Sequence, residues 1–272
     1  MAKIDKNGKE WKVVALTPSG RRDHLRILKK YIEKNDFIDT WQLWLNTGDI
    51  EDIKYINEIA SDKIEIKRIE GLNKQDIFSI CKFFKYAQDD DTIYIRLDDD
   101  IVFIEDSAIE ELLNARLENE NPFVVFANIV NNAVINNIHQ EIGVLGKQFG
   151  EASIERFDPL NHSNHNFVKY IHNNFIDKYR NNKLNEYFFE NRILKNYEPF
   201  SINCFAFFGK DMKELPGIDE EGWISHTKPK ADERPNMICG KALVVHYAFY
   251  PQRKELNANT NLLDIYKNIC QK

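Results

Sequence analysis

Cysteine is scarce in this 272-residue chain: four residues, at 81, 204, 239 and 270, with no Cys-x-x-Cys pair. That spacing excludes the common structural zinc signatures. Four unclustered cysteines do not make a disulfide scaffold, and free thiols in a reducing compartment are the simpler reading. Glycine (11) and proline (8) are also few, which excludes collagen-like and low-complexity sequence. No run approaches 18 apolar residues, so no transmembrane segment is expected. Met1 to Trp11 is charged and lacks the apolar core of a signal peptide. Positive charge is in deficit: 37 Lys and Arg against 43 Asp and Glu leave −6. Nucleic-acid binding needs a basic surface, so no nucleic-acid partner is expected. The expected setting is cytoplasmic, with peripheral attachment to a membrane as its only variant.

What is present is enough for a large core. Hydrophobic residues make up 43% of the chain, too many for a disordered one. Asparagine is abundant, with 29 residues; it suits turns and caps, and no function is read from it.

The order of elements is that of an α/β protein. Residues 11–17, 40–45, 63–69 and 92–97 read as strands. Helical patterns over 21–34, 50–60 and 74–87 separate them, with Leu25, Leu28 and Ile32 on one face of the first. Such alternation predicts a mostly parallel sheet flanked by helices. Further on, 107–116 reads as a helix, 123–129 and 202–208 as strands, 242–250 as a last strand and 260–270 as a helix. Residues 131–200 are polar and aromatic, with one helix expected around Phe167 to Phe175. One domain over 1–272 is expected, with a nucleotide half at 11–130 and an acceptor half at 131–272 that carries an insertion near 131–200.

Ligands in such sheets bind beyond the strand C-termini. Pro18-Ser19-Gly20-Arg21, Asn46-Thr47 and Asp98-Asp99-Asp100 all fall there and are expected to share one rim. Three acids after an apolar strand repel one another, so a cation should offset them; carboxylates suit Mg²⁺ or Mn²⁺. Alternate residues of an extended segment face the same way, which pairs Asp98 with Asp100 and turns Asp99 aside. His246, inside the last apolar strand, is a candidate third ligand. The small residues and helix start around Ser19 and Arg21 suit an anion. Lys74, Arg96 and Arg253 are candidate diphosphate contacts. In Asp219-Glu220-Glu221, a carboxylate of raised pKa could act as a general base toward an acceptor hydroxyl. His162, His165 and His172 fit no zinc signature.

Taken in order, these parts resemble the GT-A glycosyltransferases: a β-α half, an Asp-x-Asp stretch at 98–100, an acidic segment at 219–221 and the late His246. The resemblance implies a GT-A, Rossmann-like sheet and a metal-dependent, inverting glycosyltransferase. Its donor would be a nucleotide sugar, UDP-linked by preference, and its acceptor a glycan or glycoconjugate hydroxyl. By the same resemblance Thr17 contacts the base, Asp98 reaches the ribose side, and Asp100 and His246 hold the metal. Ser19, Arg21, Asn46, Lys74, Arg96, Asp99 and Arg253 complete the nucleotide-sugar set, and Glu221, Glu220 or Asp219 is the base. Asn46-Thr47 stands where many members carry an acid, and the segment 219–225 lacks the Arg-Trp ending of processive relatives. Two alternative enzymes remain, besides a non-catalytic sugar-binding protein on the same fold. A sugar nucleotidyltransferase shares the β-α sheet and the metal, but is expected to have a longer Gly-rich loop than Pro18-Ser19-Gly20. A metal-dependent phosphohydrolase would want Thr where Val102 stands.

Overall fold

The computed structural model describes residues 4–6, 9–70, 77–155 and 157–271. Its strands are β1 (Ile4–Lys6), β2 (Lys9–Ser19), β3 (Thr40–Leu45), β4 (Ile64–Lys67), β5 (Thr92–Leu97), β6 (Ile101–Ile104), β7 (Val125–Val130), β8 (Arg192–Ile193), β9 (Cys204–Phe208) and β10 (Met237–His246). They form one sheet in the order β4-β3-β2-β5-β9-β7-β10-β6, with β1 added on β2 and β8 on β10. The β4-β3-β2-β5 part is parallel. The rest is mixed, because β9 runs antiparallel to both β5 and β7, and β6 antiparallel to β10. The α/β architecture read from the sequence is therefore present, with antiparallel strands inserted in its second half.

The helices are α1 (Arg22–Lys34), α2 (Ile50–Glu58), α3 (Ala108–Glu118), α4 (Ala133–Glu141), α5 (Pro159–His162), α6 (His165–Arg180), α7 (Glu220–Gly222), α8 (Lys228–Ala231), α9 (Tyr250–Asn259) and α10 (Leu262–Ile269). A π turn, Trp223–Thr227, joins α7 to α8. Every residue of β5, β7 and β9 is buried, as expected for strands covered on both faces. α1 buries His24, Leu25, Ile27, Leu28 and Ile32, a stripe at helical spacing. One apolar cluster lies under the main sheet, and a second joins α6, α9 and α10 to β10.

Four local expectations change. β2 continues through Pro18 to Ser19; a proline is tolerated near a strand end, where a missing N–H costs least. The helix expected at 74–87 is a 3-10 segment over Ile77–Tyr86, held by Phe83 stacked on Trp44 at 5.3 Å; residues 71–76 lie outside the described residues. The last strand ends at His246, and Tyr250 opens α9 with Pro251 in its first turn, a position where proline fits a helix. The stretch 131–200 holds α4, α5 and α6 instead of a single helix. No helix among the described residues is long and apolar enough to cross a membrane.

Candidate functional site

Three strand ends meet at one rim. The Asn46 N–H donates to the Ser19 carbonyl at 2.9 Å, and the Gly20 N–H donates to Asp99 Oδ2 at 2.9 Å. Gly20 lies so close to the neighbouring turn that a Cβ there would meet Thr47 Cβ at 3.1 Å and the Asn46 oxygen at 3.2 Å. The convergence expected of the segments at 18–21, 46–47 and 98–100 is thus observed.

Asp98, Asp99 and Asp100 form the tight turn between β5 and β6 and have three different surroundings. Asp98 accepts from Arg96 Nη1 at 2.7 Å and from Asn203 Nδ2 at 2.8 Å. Asp99 turns aside, as expected, though within a turn and not an extended segment, so its partners and not strand alternation set its direction. It is buried and accepts from the Gly20 N–H and from the guanidinium of Arg21. Asp100 is 1% exposed. Its Oδ2 faces Arg21 Nη1 at 3.2 Å and Arg253 Nη2 at 3.1 Å. Its Oδ1 lies 3.6 Å from His246 Nε2 and has no hydrogen-bond partner.

A bulge between Val245 and His246 shifts the register of β10 against β6; bulges re-aim side chains, and this one aims His246 at the turn. Its Nδ1 lies 3.2 Å from the Asn131 carbonyl. A carbonyl only accepts, so Nδ1 carries the hydrogen, and in the neutral ring the Nε2 lone pair points toward Asp100. Two acceptors facing each other in a buried place call for a proton or a cation between them. Asp98, Asp100 and His246 each offer a ligand atom, all within 4.8 Å of one another. Two carboxylates and an imidazole backed by a carbonyl are a donor set that fits a divalent ion.

The electrostatics agree. Burial penalises the Asp100 charge, yet Arg21, His246 and Arg253 hold its carboxyl well below the usual range. For Asp99 burial outweighs Arg21, and its pKa rises. Burial also opposes the His246 charge, but Asp100 raises its pKa overall.

The acidic segment closes the other wall. Asp219 caps α7, accepting from the Gly222 N–H at 3.0 Å. Glu220 is 8% exposed, with Oε1 3.1 Å from Arg96 Nε. Burial pushes its pKa up to about 7 in spite of that arginine. Glu221 accepts from the Ser201 hydroxyl at 3.1 Å. Between the walls lies a cleft of about 670 Å³ that takes in Arg21, Arg96, Asp98, Asp100, Glu220, Glu221, His246 and Arg253.

Other expected contacts are committed elsewhere. Thr17 is fully buried, and its hydroxyl accepts from the Trp41 indole at 3.0 Å. The Ser19 hydroxyl donates to the Thr17 carbonyl at 2.8 Å. Asn46 Oδ1 accepts from the Ser79 hydroxyl at 3.2 Å. These side chains brace the rim instead of lining the cleft, because all three are buried and bonded within it. Lys74 lies outside the described residues. His172 is a core residue bonded to the Tyr266 hydroxyl and the Tyr247 carbonyl, each at 2.8 Å. Sequence reading missed Asn203, Phe157, Phe249 and Tyr250, all on the cleft. Only Asn203 had a signal, as a polar residue at the start of an apolar strand. The others stand in loops or at a helix start, where no pattern marks them.

No protein-family model matches the chain, and no curated protein matches it in sequence. Solved structures do resemble it. A mycobacterial protein is 10% identical, with a TM-score of 0.53 over 96% of this chain and 74% of that one. An inositol-1-phosphate CTP transferase from T. maritima is 13% identical, with a TM-score of 0.48 over 94% and 96%. A 4-diphosphocytidyl-2C-methyl-D-erythritol synthase from Anaerococcus prevotii DSM 20548 is 17% identical, with a TM-score of 0.32 over 43% of this chain. This chain spans about half of that enzyme's length, 54%. The mycobacterial structure, with its TM-score above 0.5 over nearly the whole chain, establishes the fold alone, a Rossmann-like, GT-A-like mixed α/β sheet.

The glycosyltransferase expectation is corrected at this point, together with its UDP-sugar donor and glycan acceptor. Several of the solved structures found carry nucleotidyltransferase names, which was the alternative kept from the sequence. The physical reason is that one scaffold hosts both chemistries. An acidic pair after a strand suits a metal and a polyphosphate in either chemistry, and does not say which bond to the phosphate breaks.

Proposed function

We propose that the chain transfers a nucleotidyl group from a nucleoside triphosphate to a phosphorylated acceptor, with residues 11–130, joined by His246 and Arg253, serving the nucleotide and the rest of 131–272 the acceptor. One observation carries this reading: the metal-capable group Asp98, Asp100 and His246 opens into the same cleft as Arg21, Arg96 and Arg253. In the reaction an acceptor phosphate oxygen attacks the α-phosphorus. A new P–O bond forms there, the bond to the β-phosphate breaks, and pyrophosphate leaves with the electron pair.

Asp98, Asp100 and His246 would hold Mg²⁺ or Mn²⁺, and that ion supplies charge neutralisation at the phosphates. Arg21 and Arg253, both now on Asp100, are placed to exchange part of that pairing for phosphate oxygens, which guanidinium groups bind bidentately. Glu220 is paired with Arg96 and Glu221 accepts from Ser201. Both carboxylates are therefore engaged, which favours an acceptor whose attacking oxygen is already anionic. A phosphomonoester needs no proton removed, and in this reading the acidic segment is a wall and not a base.

The test is calorimetric titration with CTP, UTP, GTP and ATP, each with and without Mg²⁺ or Mn²⁺. Pyrophosphate release is then followed with a panel of sugar phosphates. At least one triphosphate should bind only with metal. Asp100→Asn should weaken that binding at least tenfold, about 1.4 kcal/mol. If no triphosphate binds with either metal, the reading fails.

A further inference from the structure

Asn131 and Asn132 connect β7 to α4 and are fully buried. Their bonds lead to two of the three metal-capable side chains. Asn131 has φ of 65°, in the left-handed region that asparagine enters more readily than most residues. In that conformation its carbonyl faces His246 Nδ1 at 3.2 Å. Its own amide donates to the Tyr247 carbonyl and to Gln252 Oε1, each at 3.2 Å. The turn is thereby pinned to the segment that leaves β10 and to the start of α9.

Asn132 leads to Asp98. Its Nδ2 donates to the Ser201 carbonyl at 3.0 Å and to Asn203 Oδ1 at 3.3 Å, and Asn203 Nδ2 donates to Asp98 Oδ2 at 2.8 Å. The carboxylate sets the direction of this chain, because it only accepts. Asn203 must turn its NH₂ toward Asp98, which leaves its Oδ1 for Asn132. Asn132 must then present its own NH₂, and its Oδ1 is left to cap α4 by accepting from the Ile135 N–H at 3.5 Å. A cap alone asks only for an acceptor, which Ser, Thr or Asp supplies as well. The donor half of the amide is what the chain to Asp98 uses.

We propose that Asn131 and Asn132 are the positioning residues of the metal centre, one segment that orients two of its three donors at once. The inference rests on the metal-binding part of the nucleotidyl-transfer reading. The Asn131 carbonyl fixes the ring plane and tautomer of His246, so that the Nε2 lone pair faces the site. Asn132 holds the Asn203 amide, and Asn203 with Arg96 holds both oxygens of Asp98. Partners of this kind, one bond removed from a metal, typically change its affinity by about 10–100-fold.

The tests use the full chain. In the metal-free protein at pH 9, ¹⁵N spectra of the imidazoles, with His246 assigned by its loss in His246→Gln, should show the hydrogen on Nδ1. The opposite tautomer overturns the role of Asn131. Mn²⁺ is then added alone and as its complex with the triphosphate that binds in the titration above, and the bound ion is followed by electron paramagnetic resonance. Asn132→Ser, which keeps an acceptor for the α4 cap, and Asn203→Ser should each weaken binding about tenfold. Both break one chain, so the double variant should also lose about tenfold instead of roughly a hundredfold. Asn203→Ser carries the measurement if the cap variant does not fold. Asn128→Ser is the control: it removes an equally buried amide of β7 whose partners Tyr187, Gly240 and His139 are not donors. Its Mn²⁺ affinity should stay within about twofold even where its Tm falls. Unchanged affinity in Asn132→Ser and Asn203→Ser, or additive losses in the double variant, overturn the positioning role while metal binding stands. If the unsubstituted protein binds Mn²⁺ in neither form, the metal centre itself falls.

Discussion

Glu220 is held between two demands. Burial favours its neutral form, Arg96 favours its charged form, and burial prevails, with a pKa of about 7 against an ordinary 4.5. Below pH 4.5 the carboxyl is neutral whether folded or unfolded. Between 4.5 and 7 only the folded chain keeps the proton, so this group's contribution to stability falls as pH rises, by up to about 3 kcal/mol. Glu220→Gln removes that dependence. Urea midpoints at pH 5 and pH 8 should show the variant gaining on the wild type at the higher pH; parallel profiles would refute the burial of this group. Legibility at this scale was uneven. Asp98, Asp100 and His246 could be picked out because acids and imidazole are unusual beside apolar strands. The asparagines could not. Asn128 donates to the Tyr187 and Gly240 carbonyls, Asn236 to those of Ile224 and Ser225, and Asn132 to that of Ser201. They are buried braces for irregular backbone, and composition alone suggested only turns and caps.

β10 is the element on which the candidate site depends most. It pairs with β7, β6 and β8 and ends at His246. Midway, Gly240 runs against another segment: a Cβ there would collide with the Phe189 carbonyl, and Asn191 and Asn128 bond its N–H and C=O. Backbone cannot move aside as a side chain can. Gly240→Ala should cost about 3 kcal/mol and lower Tm by roughly 5–10 °C. Gly217→Ala, where nothing lies within 4 Å, is the control and should stay within about 0.5 kcal/mol. Thermal unfolding of the two variants checks both. Continuous apolar runs made β5, β7 and β9 readable. α4 and α9 escaped because their starts, Asn132 and Tyr250-Pro251, resemble loop sequence until the cap is seen. β6 escaped because four residues are too few to show a period.

Over the whole molecule, three of the four buried histidines weaken the fold as pH falls. Burial lowers His24 and His172 to about 4 and His139 to about 3. Each stays neutral in the folded chain while the unfolded chain takes up a proton near 6.5, so stability is lost as pH falls below that value. Glu220 opposes them by one proton between 4.5 and 6.5. The net excess of two protons in the unfolded state gives about 3 kcal/mol per pH unit from these four groups. Chemical denaturation at pH 7, 6 and 5 should show that steep decline; a flat profile would contradict the burial of the histidines. The α/β class was legible from the first hundred residues, where strands and helices alternate with short connections. The mixed second half was not, because β9 and β6 join the sheet beside strands distant in sequence.

The sheet ends at β4, and that end bears on how copies of the chain behave toward one another. A terminal strand offers unpaired N–H and C=O groups to any other strand that meets it. β4 has only four residues, and Glu65 and Lys67 pair along it at 2.9 Å. A short, charged border is a poor template for strand addition. Replacing both charges with valine would leave a four-residue apolar edge, and self-association in concentrated solution would follow from the border strand alone, with the cleft untouched.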